Sequence, residues 1–274
     1  MLIETLSTFP HMYDSVMGES MMKRAQEKGI LEFRAHDLRD WTHDRHRTTD
    51  DDPYGGGAGL VMKCDPIFEA VEAILGKEFV EAKLAAAPPQ GESQQRSSAA
   101  PQIVFLAPQG RPFDDAYADK LAAADHLLFI CGHYEGIDER VYTLADHVIS
   151  LGDYVLTSGE LASMVVSDAA VRKLPGVLGA AEGPVDESFT SGLLEYPQYT
   201  RPADFRGMRV PEVLTSGNHA AIARWRREQS LARTAAARPD LIAAAEAAGR
   251  LTPADQKFLK LLEPAPTGAA EGVS

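Results

Sequence analysis

Three short apolar runs, each followed by a glycine loop, constrain the fold more than any other part of the chain. The runs are Leu127–Cys131, His147–Ser150 and Tyr154–Leu156, and each is too short for a stable helix. Strands that end in glycine loops are typical of an α/β sheet, in which backbone groups approach a ligand closely at the strand ends. The stretch from Gly132 to Gly159 therefore predicts an α/β fold with a ligand pocket, although any one of its glycines alone would indicate only an ordinary turn.

The loops between these runs carry acidic side chains but neither of two common nucleotide-binding motifs. Glu135, Asp138 and Asp153 lie in them. The stretch contains no dinucleotide fingerprint G-x-G-x-x-G and no phosphate loop G-x-x-x-x-G-K-[ST]. A nucleotide-like cofactor would therefore have to bind this chain in another way.

Charge is distributed unevenly along the chain. The 274 residues carry a net charge of −13, yet residues 197–262 contain nine arginines and two lysines against six acidic residues. Such a region can present a basic face to a phosphate backbone, or it can be a solvated helix surface. On charge alone, the two interpretations remain open.

The sequence also predicts where the protein works. Its first residues lack the basic start and apolar core of a signal peptide, and no apolar run approaches membrane-spanning length. Cys64 and Cys131 lack a C-x-x-C partner pattern, which favours a reducing environment and buried thiols. We expect a cytoplasmic protein without a membrane association.

Periodicity and breaker residues predict the order of elements. The expected strands are residues 1–8, 31–38, 103–106 and the three runs above, and the expected helices are 10–28, 66–75, 114–124, 160–174 and two between 239 and 262. Residues 76–100 are rich in Ala, Gln, Ser and Pro, which predicts a partly disordered extension. Residues 176–191 are expected to link two domains.

Residues 40–59 form the longest polar segment before residue 76. A loop of this length without its own secondary structure is either functional or disordered. His43 and His46 stand among aspartates, but their spacing matches no closed set of metal ligands, so a metal site is the weaker interpretation. On the residues alone, a functional loop and a disordered one both remain open, and a metal is not expected.

Two segments of the glycine-rich stretch resemble one enzyme family. Cys-Gly-His-Tyr-Glu-Gly-Ile-Asp-Glu-Arg at Cys131–Arg140 and Leu-Gly-Asp-Tyr-Val-Leu-Thr-Ser-Gly-Glu-Leu at Leu151–Leu161 resemble bacterial tRNA (guanine-N1)-methyltransferases of the SPOUT superfamily. Further matching stretches, in order along nearly the whole chain, are Thr42–Gly59, Leu106–Arg111, Pro175–Gly179, Tyr199–Pro202 and Ser216–Ala220. Two residues depart from the family pattern: His133 stands where arginine is usual, and Ser158 replaces the first glycine of a usual Gly-Gly pair.

The resemblance implies a fold, a reaction and partners. It implies an α/β domain over residues 1–178 with a parallel sheet and a deep trefoil knot, a linker over 179–192, a helical tRNA-binding domain over 193–263 and a disordered tail over 264–274. The implied reaction transfers a methyl group from S-adenosylmethionine to N1 of guanosine 37 in tRNA, beside the anticodon. The implied enzyme is a homodimer whose active site is completed across two copies, and magnesium supports its activity without an assigned ligand in this chain.

The resemblance also implies roles for individual residues. The implied cofactor-binding residues are Phe105, Leu106, Pro108, Gly132, Leu151, Gly152, Asp153, Tyr154, Val155, Leu156 and Gly159. The expected tRNA-contacting residues are His43, Arg45, His46, Arg47, Tyr54, Asp168, Arg224 and Arg227. Glu135 would lie near the guanine or the methionine part of the cofactor, and Arg172 near the guanine O6. Without the resemblance, Asp168 and Arg172 would indicate a surface salt bridge, because residues four apart share a helix face.

The expected general base lies in an acidic pair, Asp186 and Glu187. Neutral guanine carries a proton on N1, so methylation there requires a base, and a cation near O6 would stabilise the developing charge. The family pattern is an acidic pair before Ser-Phe, with an aspartate in second place as the base. Spacing from Gly179 to Phe189 therefore favours Glu187, whereas chemical identity favours Asp186. Without the resemblance, both would be solvated linker charges.

Two other functions remain open on the sequence. One is methylation of a different RNA target, such as a ribose 2′-hydroxyl, against which the acidic pair and the C-terminal region argue. The other is an inactive RNA-binding module, against which the presence of Arg172, Glu135 and the acidic pair argues.

Overall fold

The computed structural model describes residues 1–85, 99–178 and 187–262. The chain divides into two compact units, Met1–Gly183 and Pro184–Ser274. The domain roles and boundaries expected from the sequence stay predictions. Among the described residues, no helix combines the length and apolar character needed to cross a membrane.

A five-stranded parallel sheet forms the centre of the first unit. The strands of this unit are β1 (Leu2–Ser7), β2 (Glu32–Asp37), β3 (Asp50–Asp51), β4 (Val61–Met62), β5 (Gln102–Pro112), β6 (His126–Ile130) and β7 (His147–Ser150). The sheet has the order β2-β1-β6-β5-β7, and every pair in it is parallel, while β3 and β4 form a separate antiparallel pair. The predicted α/β fold with a parallel sheet is confirmed.

Both faces of this sheet are covered by apolar side chains. Along β6, Leu127 and Phe129 join one hydrophobic core, while Leu128 and Ile130 join the other. Successive side chains of a strand point to opposite faces, so a strand buried on both faces appears in the sequence as a continuous apolar run. This is why the run at 127–131 was a reliable strand signal.

Helices pack on both sides of the sheet. The α-helices of the first unit are α1 (Asp14–Met17), α2 (Ser20–Glu27), α3 (Cys64–Leu75), α4 (Lys77–Ala85), α5 (Asp115–Ala122) and α6 (Gly159–Val171). Short 3-10 helices occupy Pro10–Tyr13, Leu38–Trp41 and Glu139–Leu144. The expected helix over 10–28 is therefore three successive short helical segments rather than one.

Three further expectations are corrected by the structure. Residues 154–156 are not a strand but part of an exposed loop after β7. The strand expected at 103–106 continues to Pro112, with a register shift against β7 between Leu106 and Arg111. Residues 77–85 of the expected disordered extension form α4, which tertiary contacts stabilise. Val80 is buried, and the Lys83 Nζ donates to Leu144 O at 2.7 Å and to Asp146 Oδ2 at 2.6 Å. Residues 86–98 lie outside the described residues.

The second unit is mainly helical, as expected. Its elements are β8 (Asp204–Phe205), β9 (Met208–Arg209), α7 (Glu212–Thr215), α8 (His219–Ala237), α9 (Pro239–Ala247) and α10 (Pro253–Leu262). Leu193, Leu231 and Ala245 form its buried core. The predicted capping pattern before α10 is present, because Asp255 N donates to Thr252 Oγ1 at 3.2 Å and Thr252 N donates to Asp255 Oδ2 at 2.9 Å. Residues 264–274, the expected disordered tail, lie outside the described residues.

Candidate functional site

A cavity of about 320 Å³ opens at the carboxyl ends of β5, β6 and β7. In parallel α/β sheets this edge is the usual place for a ligand, because loops from neighbouring strands converge there. The predicted cofactor residues that line it are Leu106, Pro108, Gly132, Leu151, Gly152, Tyr154, Val155, Leu156 and Gly159. Glu135 lies on the same wall. The structure thus brings together residues that are up to 53 positions apart in the sequence, from Leu106 to Gly159.

Two predicted cofactor residues are not on this wall. Phe105 is fully buried in the core, and its ring centroid lies 4.9 Å from that of Tyr142, which does line the cavity. Asp153 is exposed and does not line the cavity. The side chain of Phe105 is therefore placed to support the wall from behind.

The start of α6 is packed backbone against backbone on the end of β6. Gly159 N donates to Gly132 O at 2.8 Å. A Cβ on Gly159 would lie 2.8 Å from Gly132 N and 2.9 Å from the Cα of Cys131, which is closer than any side-chain carbon tolerates. Glycine at position 159 therefore lets the helix begin at the floor of the cavity.

The polar loop at 40–59 is tied to the same wall. Glu135 N donates to Leu60 O at 3.1 Å, and Met62 N donates to Gly136 O at 3.0 Å. The Glu135 side chain lies against Gly59, where any Cβ would overlap it. The end of the loop thus lies against the acidic side chain in the cavity wall, and the functional role of the loop stays a prediction.

A histidine and a buried carboxylate meet behind the cavity. His133, which lines the cavity, has its Nε2 2.8 Å from Oε2 of Glu160, whose side chain is fully buried. Ser7 Oγ donates to the other carboxylate oxygen. Burial alone would raise the pKa of Glu160, but the hydrogen bonds from His133 and Ser7 more than offset it, so this pKa lies below its ordinary value. His133 thus supplies a hydrogen-bonding partner to a buried carboxylate, at a position where the family pattern has arginine.

The thiol nearest the cavity is not a nucleophile. Burial raises the pKa of Cys131 to about 12, which favours the protonated thiol. The expectation of buried thiols is met by Cys131, whereas Cys64 is only half-buried. Tyr13 Oη lies 3.1 Å from its sulfur and 2.6 Å from Ser163 Oγ.

The residues predicted to meet tRNA from the loop are exposed. His43 pairs with Glu69 at 2.8 Å and Arg47 pairs with Asp40, whereas Tyr54 is fully exposed. Arg45 and His46 are also exposed.

Asp44 organises this loop. The Thr48 hydroxyl donates to it at 2.8 Å and the backbone N–H of His46 at 2.8 Å, and these bonds lower the pKa of Asp44 to about 2. Among the described residues, no group of three or more His, Cys, Asp or Glu side chains is placed to hold a metal ion.

The predicted catalytic residues lie in three places. Glu135 lines the cavity, and Arg172 is the residue at which α6 ends, with its N–H 3.1 Å from Asp168 O. Glu187 is half-buried in the second unit, and Asp186 lies outside the described residues. Their catalytic roles stay predictions.

The two arginines predicted to bind tRNA have intramolecular partners. Arg224 is exposed and pairs with Glu228 at 2.7 Å, one turn along α8. Arg227 donates to both carboxylate oxygens of Asp255, at 3.1 and 2.9 Å, and so joins α8 to the start of α10. Their contact with tRNA stays a prediction, and Arg227 has a structural role that the sequence did not indicate.

Sequence reasoning missed part of the cavity wall. The lining residues it did not assign are Ala107, Gln109, His133, Tyr134, Gly136, Ile137, Glu139, Tyr142, Ile149, Ser150, Thr157, Ser158 and Ala162. Adjacency to the predicted strand ends could have indicated most of them. Tyr142 and Ala162 reach the wall from helical segments, and no local signal indicated this.

The fold and cavity define an α/β protein with a pocket beside the strand ends of a parallel sheet. The family model described as "tRNA (Guanine-1)-methyltransferase TrmD" matches residues 1–244. The chain belongs to this family, which confirms the resemblance drawn from its motifs.

Curated relatives agree with this family over most of their length. A protein of Limosilactobacillus reuteri named tRNA (guanine-N(1)-)-methyltransferase is 50% identical over 246 residues, covering 90% of this chain and 91% of the relative. A protein of the same name from Symbiobacterium thermophilum is 51% identical over 260 residues, covering 95% and 97%. Another of that name from Geobacillus kaustophilus is 51% identical over 243 residues, covering 88% and 91%.

Proposed function

We propose that this chain transfers a methyl group from S-adenosylmethionine to N1 of guanosine 37 in tRNA. The observation that carries the proposal is the cavity at the ends of β5, β6 and β7, built from the two motif segments in a chain of the TrmD family. Relatives that are about half identical to it carry the name of a tRNA (guanine-N(1)-)-methyltransferase.

The cavity fits a cofactor of the proposed kind. Its volume of about 320 Å³ lies within the range of small-molecule sites, and its wall combines apolar side chains with exposed backbone. Leu106, Pro108 and the 151–156 loop would hold the nucleoside, and backbone groups near Gly132 would bond its polar edges. When bound, the sulfonium supplies an activated methyl group.

Side chains of the protein would remove the proton, stabilise the developing charge and orient the reactants. A linker acid, Glu187 by position or Asp186 by identity, would take the proton from guanine N1. Arg172 would stabilise the negative charge that develops at O6. Glu135, fixed by the loop at Gly59, would orient the guanine or the methionine part of the cofactor. The target base must leave its stack to enter such a site, which costs a few kcal/mol supplied by binding.

The homodimer implied by the family resemblance has a physical basis in the first unit. Phe9, Met12 and Val16 are exposed near the N-terminus, and Leu161 and Val165 are exposed on α6, which contacts the Pro10–Tyr13 segment. A patch of this kind is typical of an interface. We propose that a second copy covers it.

Three further properties belong to this proposal. The knot of the SPOUT superfamily, the magnesium requirement and the cytoplasmic location follow from the resemblance and the proposed tRNA substrate. Since no metal-ligand cluster is present among the described residues, no catalytic step is assigned to magnesium.

Mass spectrometry of a tRNA transcript incubated with the protein and S-adenosylmethionine tests the proposal. We expect N1-methylguanosine at position 37, and no product from a transcript with adenosine there. A ribose-methylated product would instead support a different RNA target, and the absence of any product would support an RNA-binding module without activity.

A further inference from the structure

The second unit contains a cavity of about 410 Å³ that has no role in the proposed reaction. Its wall comes from the segment at 196–203, from α7 and from α8, and its apolar side chains include Val210, Leu214 and Ile222. This volume lies within the range of roughly 300–1,000 Å³ that is typical of small-ligand sites.

Aromatic rings form much of this wall. Tyr199 and Trp225 lie with their ring centroids 6.4 Å apart and their planes inclined by 52°, and Tyr196 lines the same cavity. Tyr199 is 49% exposed. Partly exposed aromatic faces beside a cavity offer a stacking surface for a flat ligand, which is how proteins hold unstacked nucleobases.

Two arginines with no acidic partner lie on the same wall. Arg201 and Arg226 are exposed and form no ion pair with any residue of 1–85, 99–178 or 187–262, whereas Arg224 and Arg227 do. The Arg226 guanidinium lies 4.8 Å from the centre of the Tyr196 ring. Among the residues that the structure describes, no aspartate or glutamate lines the cavity. The wall therefore combines stacking surfaces with cations that remain available to a phosphate.

We infer that this cavity binds one unstacked nucleotide of the RNA substrate, with the base against Tyr199 and Trp225 and its phosphate beside Arg201 or Arg226. The inference rests on the proposed function only in taking the RNA to be tRNA. It is a nucleotide-binding site separate from the one for the methylated guanosine. An acidic peptide could satisfy the arginines, but it would leave the aromatic faces without a stacking partner.

Tryptophan fluorescence gives a direct test. The chain has two tryptophans, Trp41 and Trp225, so a Trp41→Phe protein reports on the cavity alone. We expect unmodified tRNA transcript to quench this fluorescence, and inorganic polyphosphate at equal charge to leave it unchanged, because only a base can stack. Equal responses to both polyanions would overturn the inference.

Paired substitutions test the ring and the charge. Tyr199→Ala should weaken tRNA binding by about fivefold or more, the lower limit for losing one stacked base, while Tyr199→Phe should keep the affinity. Arg226→Ala should weaken it more than Arg238→Ala, which removes the same charge from an arginine paired with Asp240. Unchanged thermal unfolding and cofactor binding would show that the variants fold.

The outcomes separate this inference from the proposed function. Unchanged tRNA affinity in Tyr199→Ala, or equal losses in Tyr199→Ala and Tyr199→Phe, would overturn the nucleotide site even if wild-type protein methylates guanosine 37. An altered sedimentation mass in Tyr199→Ala would assign the cavity to contact between copies of the chain, which also overturns it. If the wild-type protein lacks methyltransferase activity but tRNA affinity still falls in Tyr199→Ala and not in Tyr199→Phe, the nucleotide site is kept and the proposed reaction is rejected.

Discussion

His133 illustrates what a single residue in the sequence can and cannot disclose. Its departure from the family's arginine was visible in the motif, but its partner was not, because Glu160 follows 27 residues later and is brought close only where α6 begins at Gly159. The physical requirement is a hydrogen-bonding partner beside a fully buried carboxylate, and the side chains of both arginine and histidine can supply one.

The first prediction concerns this pair. The folded-state pKa of Glu160 lies below its ordinary value, so its contribution to stability is complete above the unfolded pKa of about 4.3 and is lost as pH falls through the folded pKa. Glu160→Gln should therefore lower the free energy of unfolding by about 2 kcal/mol at pH 7 and by less near pH 3. Urea unfolding of both proteins at the two pH values measures the difference. Equal costs at both pH values would mean that the carboxylate charge contributes nothing.

The second prediction concerns the general base. Glu187→Gln should lower the rate of methyl transfer far more than Asp186→Asn, with tRNA and cofactor affinities nearly intact, because a base acts only in the chemical step. Single-turnover assays at saturating tRNA measure both rates. The reverse order would assign the proton transfer to Asp186, and two nearly normal rates would remove both acids from the mechanism.

At the scale of elements, a short apolar run forms a strand only where the folded chain buries it. The run at 127–131 enters the sheet core and is a strand, as its pattern predicts, whereas the run at 154–156 stays exposed, at 84% for Val155, and forms a loop along the cavity. The two runs differ in their tertiary neighbours and not in local composition. The helix at 77–85 was missed for the same reason, since it depends on contacts of Lys83 with residues more than 60 positions away.

The third prediction separates two arginines of α8. Arg227 joins α8 to the start of α10 through Asp255, so Arg227→Ala should lower the free energy of unfolding by about 2 kcal/mol, the scale of hydrogen bonds to a charged group. Arg224→Ala should leave the free energy of unfolding nearly unchanged, because its pair with Glu228 is exposed on one helix. Urea unfolding followed by Trp225 fluorescence, in the Trp41→Phe background, measures both.

A matched assay asks whether the same arginines also bind tRNA. If they contact phosphates, each substitution should reduce the slope of log affinity against log salt concentration by about one. An unchanged slope for Arg224→Ala would assign this residue to the solvated surface, and an equal loss of stability in the two variants would contradict the linking role of Arg227.

At the scale of the whole molecule, composition was a poor guide to partners. The net charge of −13 argues against nucleic-acid binding, and only the arginine-rich region after residue 197 indicated it. The pocket at the strand ends could be predicted because glycines and acids recur there in the sequence. The chain topology and the number of copies could not, since both depend on contacts that no local pattern encodes.

The last prediction tests whether the proposed active site is shared between two copies of the chain. Gly152 adopts φ +148°, and a Cβ there would lie 2.9 Å from Tyr154. Both residues line the cavity, so the valine side chain of Gly152→Val should occupy the cofactor's space, and the variant should fold but lose cofactor binding. Glu187→Gln should keep the cofactor pocket and lose the base. Co-refolding equal amounts of the two inactive variants should restore roughly a quarter of the wild-type activity if cofactor and base come from different copies, since half the dimers are mixed and each has one intact site. Each variant refolded alone should stay inactive. A mixture that forms mixed dimers, verified by mass spectrometry of differently tagged chains, yet stays inactive would place both groups in one chain.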